Sequence, residues 1–427
     1  MVKNILKKII IATITLEARL VLKKYKPKIV AITGNTGKTG AKDAVAAILG
    51  AEFFTWKNEK SYNSDIGIPL TILHCKNAWS NPLFWIKNII EGLVLVLFPH
   101  DYPKWLILEV GADKPNDIGK FAKWLRPDVV IVTRIGETPV HVEFFSSRDE
   151  LIKEKAKLVL ALKTGGVLVL NADDPDVLAM KEIPKLAKIV TYGFSPDSSL
   201  RASNYHATYN EGIAFKIDYL GNIIPVRLTG VVGRQNVYSA LAAFAVGVAL
   251  GFNFVSMLES INRFERPAGR LKLVFGRNGS SILDDTYNSS PAALDLAIES
   301  ASDLETPGRR IAVLGDMLEL GKHTDSAHRA IGQKIPHYFS LLFTVGQRAG
   351  GFVRGAVDAH MDPSKIVSFS DSVSAGEHLK NFLEHGDLVL VKGSQGMRME
   401  RVVERIMAKP EDKGKLLARQ DEEWLKR

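Results

Sequence analysis

Six consecutive residues, Gly34, Asn35, Thr36, Gly37, Lys38 and Thr39, combine the types that hold a phosphate chain. Glycines let the backbone approach an anion closely, and its N–H groups then act as donors. The lysine charge can reach the outer phosphates, and the threonine hydroxyl can hold Mg2+. The spacing is shorter than the full Walker pattern, which needs a glycine where Ile32 stands. A simple glycine turn is the competing reading, and the Lys-Thr pair favours a nucleotide. Glu109, followed by Val110 and Gly111, is a second candidate. A carboxylate at the C-terminal end of a parallel strand opens into the crevice where α/β proteins bind ligands, as a metal ligand or a holder of water.

These groups need a frame. Residues 29–32 read as a buried parallel strand, and the alanine-rich 41–49 as a helix whose positive end faces the anion. Further strands at 105–110, 128–133 and 167–171 alternate with helical stretches such as 148–160. This predicts an α/β fold, a doubly wound parallel sheet of P-loop type. Short β-like runs at 214–219 and 223–228, around Gly221-Asn222, predict hairpins. A long helix over 237–250 ends at Gly251. Beyond a boundary near 262–270, strands at 310–314, 341–345, 366–369 and 388–391 predict a second, Rossmann-like α/β domain. The expected division is 1–27, an N-terminal amphipathic helix; 28–264, the central domain with the phosphate loop; and 265–427, the C-terminal domain. The charged tail from Lys409 reads as a fraying helix.

With 427 residues, two or three domains are expected. Hydrophobic content of 46% and charged content of 24% are those of a folded soluble protein. The net charge of +9 suits nucleotides or an anionic membrane surface, but the lysines are scattered rather than striped, so no nucleic-acid partner is expected. Cys75 is the only cysteine, which excludes an intramolecular disulfide, and it reads as a core residue. A cytoplasmic location follows, because Thr13, Thr15, Glu17 and Arg19 break the run a signal peptide would need. The N-terminal helix is read as packing on the domain, with membrane-surface contact as the alternative. Residues 81–99 are strongly apolar but too short to span a bilayer. They read as a core helix or a helix-to-strand passage, with an interfacial helix over 83–98 as the other reading. Nothing in the sequence sets an oligomeric state.

Several stretches together resemble the Mur ligases, ATP-dependent amide-bond-forming enzymes of peptidoglycan synthesis. The loop is similar to the family's short nucleotide loop. Asn63-Ser64-Asp65-Ile66-Gly67-Ile68-Pro69, Glu109-Val110-Gly111-Ala112 and Asp284-Asp285-Thr286-Tyr287-Asn288-Ser289-Ser290-Pro291 resemble family motifs. So do Leu314-Gly315-Asp316-Met317-Leu318-Glu319-Leu320-Gly321 with His328, Val391-Lys392-Gly393-Ser394, and Met399-Glu400. Within the family the match is to members that add a D-Ala-D-Ala dipeptide to a cell-wall precursor. The resemblance implies a carboxylate–amine ligase working through an acyl phosphate. Alternatives are a related ligase with another acceptor, such as a different wall peptide, folate or polyglutamate, and a nucleotide-binding subunit that needs a partner.

The resemblance also implies roles by position. Lys38 would hold the transferring phosphoryl group, and Thr39 and Glu109 would bind Mg2+. His141 and Lys155 would help hold a second Mg2+, Lys155 as a carbamate. Asn236 would contact adenine, Arg270 the phosphates and Asp285 the ribose. Asn63, Ser64, Asn288, Ser290, Lys392 and Ser394 would lie near the substrate. Asp316 and Glu319 are equally readable as structural carboxylates. Departures are Gln235, Ser239 and Ser290, and a loop reached by residue 34, so the family's usual first domain for a UDP-sugar is expected to be missing.

Overall fold

The structure, a computed structural model, describes residues 2–58, 62–78, 81–112, 114–135, 145, 147–263, 268–318, 320–420 and 424. His141, Glu319 and residues 264–267 of the expected domain boundary lie outside this set.

The chain begins with α1 (Val2–Tyr25), β1 (Lys28–Thr33), α2 (Lys38–Gly50), β2 (Thr55–Lys57), α3 (Gly67–Ile72), α4 (Pro82–Leu97), β3 (Trp105–Glu109), α5 (Asp117–Leu125) and β4 (Val129–Val132). It continues with α6 (Arg148–Leu160), β5 (Val167–Asn171), α7 (Pro175–Ala179), β6 (Lys188–Gly193), β7 (Leu200–Thr208), β8 (Gly212–Tyr219), β9 (Asn222–Thr229), α8 (Arg234–Ala249) and α9 (Phe254–Arg263). Their sheet runs β2-β3-β1-β4-β5-β6-β7-β8-β9. Pairing is parallel from β2 through β7.

Helices cover both faces, so every residue of β3 and β4 is buried and the strands read as unbroken apolar runs. On one face Ile14 of α1, Ile68 of α3, Phe121 of α5 and Leu158 of α6 meet Ala31, Leu108, Val130 and Leu170 in one core. Each such fully buried aliphatic chain contributes roughly 1.5–3 kcal/mol. Elsewhere in the unit, α2 and α8 approach closely, and a Cβ at Gly40 would fall 2.5 Å from Ser239 Oγ. The small residue at 239 thus answers a packing demand. β1 lies between β3 and β4, with Ile32 opposite Glu109 and Thr33 opposite Val132. The chain leaves β1 towards β2 and β3 on one side and crosses to β4 on the other. This reversal opens a crevice at the carboxyl end of β1.

Contacts divide the chain into two compact units: 1–203, 216–225 and 235–264, and 204–215, 226–234 and 265–427. Strands β7 to β9 therefore give residues to both, and α1 belongs to the first unit. The second unit holds β10 (Lys272–Phe275), β11 (Ser281–Asp285), α10 (Pro291–Ser302), β12 (Arg310–Gly315), α11 (Thr324–Tyr338), β13 (Leu341–Val345) and α12 (Gly350–Asp358). It ends with β14 (Ile366–Phe369), α13 (Ser372–Lys380), β15 (Leu388–Lys392), α14 (Glu400–Ile406) and α15 (Lys413–Leu416). The order β10-β11-β15-β12-β13-β14 is parallel except for the β10/β11 pair.

The doubly wound first sheet and the Rossmann-like second sheet match the expectation. Two local readings are corrected. Residues 82–97 form one helix, started by Asn81, whose side chain accepts from Leu83 N and Phe84 N at 3.0 and 3.2 Å. Only one face of it joins the core, through Leu95, while the other is open, with Leu83 75% and Leu97 63% exposed. Among the described residues the tail is held through position 420: Arg419 is buried, and its Nη1 donates to Glu400 Oε2 at 2.9 Å. Cys75 is a core residue, its thiol pushed up to about 12 by burial.

Candidate active site

The loop after β1 is held by the end of β4. Asn35 N and Thr36 N donate to the Arg134 carbonyl at 2.8 and 3.2 Å, and Asn35 Nδ2 donates to the Ile135 carbonyl at 2.7 Å. The Thr133 hydroxyl donates to Thr36 O at 2.7 Å. Gly34 has φ 142°, and a Cβ there would lie 2.0 Å from Thr133 Oγ1. Only glycine allows the loop to fold this tightly against β4. Gly37, φ 82°, then turns the chain into α2. The amides of Asn35 and Thr36 are engaged by Arg134, and the start of α2, the positive end of its dipole, is where an anion would be met.

Two ammonium groups converge on this loop. Lys38 Nζ donates to Gly34 O at 2.8 Å and Asn35 O at 3.1 Å. Lys155 Nζ, buried on α6, donates to the same Gly34 O at 3.0 Å. Beside them, Thr39 Oγ1 donates to Glu109 Oε2 at 2.9 Å. Lys42 Nζ lies 3.9 Å from that oxygen and donates to Asn58 O at 2.9 Å. A hydroxyl and a carboxylate side by side are the hard oxygen donors that Mg2+ prefers, so the residues fit a phosphate-bound Mg2+. Among the described residues no cluster of three His, Cys, Asp or Glu could hold a metal. A second metal site would draw on His141, which is outside the described set, and on Lys155, whose Nζ here donates to a backbone carbonyl.

Of the remaining candidates of the first unit, Asn63 lies beside Glu109, Ser64 at the start of α3 and Asn236 on α8. Asn63 O accepts from Gly111 N at 3.2 Å, next to Glu109. Ser64 Oγ accepts from Gly67 N at 3.4 Å at the start of α3. Asn236 is buried on α8. Two residues from it, Tyr238 OH donates to Asp173 Oδ2 at 2.7 Å.

In the second unit, Asp285, Asn288, Lys392 and Ser394 gather at the carboxyl ends of β11 and β15. Lys392 Nζ donates to Asp285 Oδ2 at 2.6 Å and to Asn288 O at 2.8 Å, and the other Asp285 oxygen accepts from Leu271 N at 3.2 Å. Ser394 Oγ accepts from Leu318 N at 2.8 Å. Ser290 is the N-cap of α10, accepting from Ala293 N at 3.4 Å. Arg270 is exposed, its guanidinium 4.3 Å from the Tyr287 ring centre. Burial pushes Asp284 up to about 6. Asp316 accepts from Ala349 N at 2.7 Å, and His328 Nε2 accepts from Met317 N at 2.9 Å. Nδ1 of that ring donates to Thr324 O at 2.6 Å, and burial lowers its pKa, so this histidine is a neutral brace of the Gly315-Asp316-Met317 turn.

Sequence reasoning missed several supports. Glu154, next to Lys155, accepts from Asn116 N and Ile118 N, each at 2.8 Å, at the start of α5. This fixes the register of α6 and so the place of Lys155. Asp173 accepts from Phe194 N and Ser195 N, both at 2.7 Å, and Asp174 from Ile135 N at 2.8 Å. Asp174 before Pro175 is a readable helix cap; the others carry no local signal.

Comparisons with known proteins follow the same division. The profile of the Mur ligase middle domain matches residues 87–247, and that of the Mur ligase glutamate ligase domain matches 269–395. The UDP-N-acetylmuramoyl-tripeptide–D-alanyl-D-alanine ligase of Bacillus subtilis (strain 168) is 27% identical over 396 residues, covering 92% of this chain and 79% of that protein. The enzyme of the same name from Escherichia coli (strain K12) is 27% identical over 393 residues, covering 90% and 78%. Among solved structures, the MurF ligase from Thermotoga maritima in complex with ADP has a TM-score of 0.74 at 24% identity, over 92% of this chain and 83% of that one.

Proposed function

Because the chain belongs to the Mur ligase family, we propose that it joins D-Ala-D-Ala to the peptide of a UDP-N-acetylmuramoyl-tripeptide, cleaving ATP to ADP and phosphate. The observation that carries the reading is the crevice at the carboxyl end of β1, where Lys38 and Lys155 share the Gly34 carbonyl beside the Thr39–Glu109 pair. The two relatives support the substrates by their names.

A carboxylate is a poor electrophile, because oxide is a poor leaving group. Transfer of the terminal phosphoryl group of ATP to a carboxylate oxygen gives an acyl phosphate and ADP. The dipeptide amine then attacks the acyl carbon, loses its proton, and phosphate departs with the C–O electron pair. The first amides of α2 orient the phosphate chain, and Lys38 leaves its loop carbonyls to follow the moving phosphoryl oxygens. Thr39 and Glu109 would hold Mg2+, which neutralises charge on those oxygens. Lys155, as a carbamate, would become a carboxylate able to join His141 at a second ion. Asn236 serves adenine. In the second unit, Arg270 serves the phosphates and Asp285 the ribose. Asn63, Ser64, Asn288, Ser290, Lys392 and Ser394 serve the acceptor and dipeptide, Ser290 through the start of α10. Residues 28–264 form the ATP-binding domain and 265–427 the second ligase domain.

The test is ATP-dependent phosphate release with the UDP-linked tripeptide and D-Ala-D-Ala, each omitted in turn. Release is expected only with both. Release that ignores D-Ala-D-Ala would overturn the dipeptide assignment. Turnover by a folded Lys38→Ala variant would overturn the assignment of the loop.

A further inference from the structure

We propose that the outer faces of α1 and α4 are a docking surface for an anionic phospholipid bilayer. The two helices form one layer. Ile14, Ala18 and Val21 of α1 and Leu95 of α4 are buried in the same core, with Trp85, Ile89 and Val96 packed against it. Their C-terminal ends are tied together: Lys24 Nζ donates to Leu95 O at 3.1 Å and Val96 O at 2.9 Å, and Tyr25 OH donates to Leu95 O at 3.0 Å.

The opposite faces are apolar as well. On α4, Leu83, Ile86, Ile90, Leu93, Val94 and Leu97 recur at three- and four-residue steps and are all exposed. Leu6, Ile9, Leu16 and Leu20 form the matching stripe on α1. Isolated exposed leucines need no explanation, but ten aliphatic side chains on two adjoining helices form a patch of the kind soluble surfaces avoid. No described helix is long and apolar enough to cross a membrane.

Charge selects the occupant. Lys7, Lys8, Arg19 and Lys23 are exposed along α1, whereas its single acid, Glu17, is buried beneath Gly92 of α4. At the C-terminal ends of both helices opens a cleft of about 530 Å3, lined by Lys26, Lys28, Lys104, His100, Tyr25 and Trp105, with Asp101 its one acid. An apolar stripe bordered by cations, next to a basic cleft of head-group size, is complementary to acyl chains beneath anionic phosphates. A second copy docking symmetrically would set these cations against themselves.

Flotation of the full chain with phosphatidylcholine–phosphatidylglycerol vesicles, and with phosphatidylcholine alone, tests this. Binding to the mixed vesicles is expected, at least tenfold weaker without the anionic lipid or in about 0.5 M salt. Leu93→Glu combined with Leu97→Glu, both at exposed positions, should abolish binding and leave the melting temperature unchanged. Lys26→Ser with Lys104→Ser should weaken binding only to the anionic vesicles. Three results would overturn the proposal: no wild-type binding to mixed vesicles, unchanged binding by the Leu93→Glu/Leu97→Glu protein, or a lipid-indifferent dimer that this variant dissolves.

Discussion

Replacing Thr39 by valine removes one hydroxyl and almost no volume. Its Oγ1 donates to Glu109 Oε2 at 2.9 Å, and Glu109 is only 3% exposed. A hydrogen bond to a buried charge contributes about 1.5–3 kcal/mol. The lower part of that range applies here, because Lys42 stays 3.9 Å from the same oxygen. At that separation and an effective dielectric constant near 20, a pair of opposite charges attracts by about 4 kcal/mol. Thr39→Val should therefore lower the stability of the ligand-free protein by about 1.5–2 kcal/mol, a melting shift of roughly 3–8 °C. The informative readout is thermal melting in three states: ligand-free, with ATP and a chelator, and with ATP and Mg2+. Wild-type protein should gain stability from ATP alone and gain further with Mg2+. Thr39→Val should retain the first increment and lose most of the second, since the hydroxyl ligand is gone. An undiminished Mg2+ increment would refute the metal role of the Thr39–Glu109 pair. An unchanged ligand-free melt would refute the energy assigned to the bond.

Gly34→Ala places a Cβ 2.0 Å from Thr133 Oγ1 in a left-handed conformation. The backbone alone costs about 1–2 kcal/mol, and ATP should no longer shift the melt; a normal ATP shift would show that the loop can relax. Glu17 is raised to about 7 by burial, well above the usual carboxylate value, so folding favours its protonated form. That contribution is complete below pH 4.5 and is lost as pH rises through 7. Glu17→Gln should therefore melt higher than wild type at pH 8, by roughly 2–3 kcal/mol, and the gap should close near pH 4; a pH-independent difference would refute this. Arg419→Met removes a buried donor to Glu400 Oε2 and Thr286 O, at 2.9 and 3.0 Å. With Arg398 still paired to Glu400, the loss in denaturant melts should be about 2–4 kcal/mol; a loss near zero would restore the view of a frayed tail.

The strand, glycine loop and helix around residue 34 were readable because each depends on neighbours in sequence: an apolar run, two glycines and an alanine-rich stretch. Glu109 was readable as the end of a buried strand, and the order of alternating elements carried both sheets. Which atoms meet is a different matter. Lys155 stands 121 residues from Gly34 yet donates to its carbonyl, and α6 is held in place by Glu154 capping another helix. No local pattern records a partner so distant, because it is set by how α6 and β1 settle against the common core. The same holds for Lys42 beside Glu109 and for the amides of Asn35 and Thr36 taken by Arg134. Hydropathy showed that residues 81–99 are apolar, but it is blind to which side is covered. The helical period of α4 serves two faces at once, and only packing against α1 decided that one lies in the core and the other in solvent. The sequence by itself determined the architecture and the chemical types at the carboxyl end of β1. The tertiary structure decided their pairing, because hydrogen bonds and burial depend on distances that the chain sets only once it is folded.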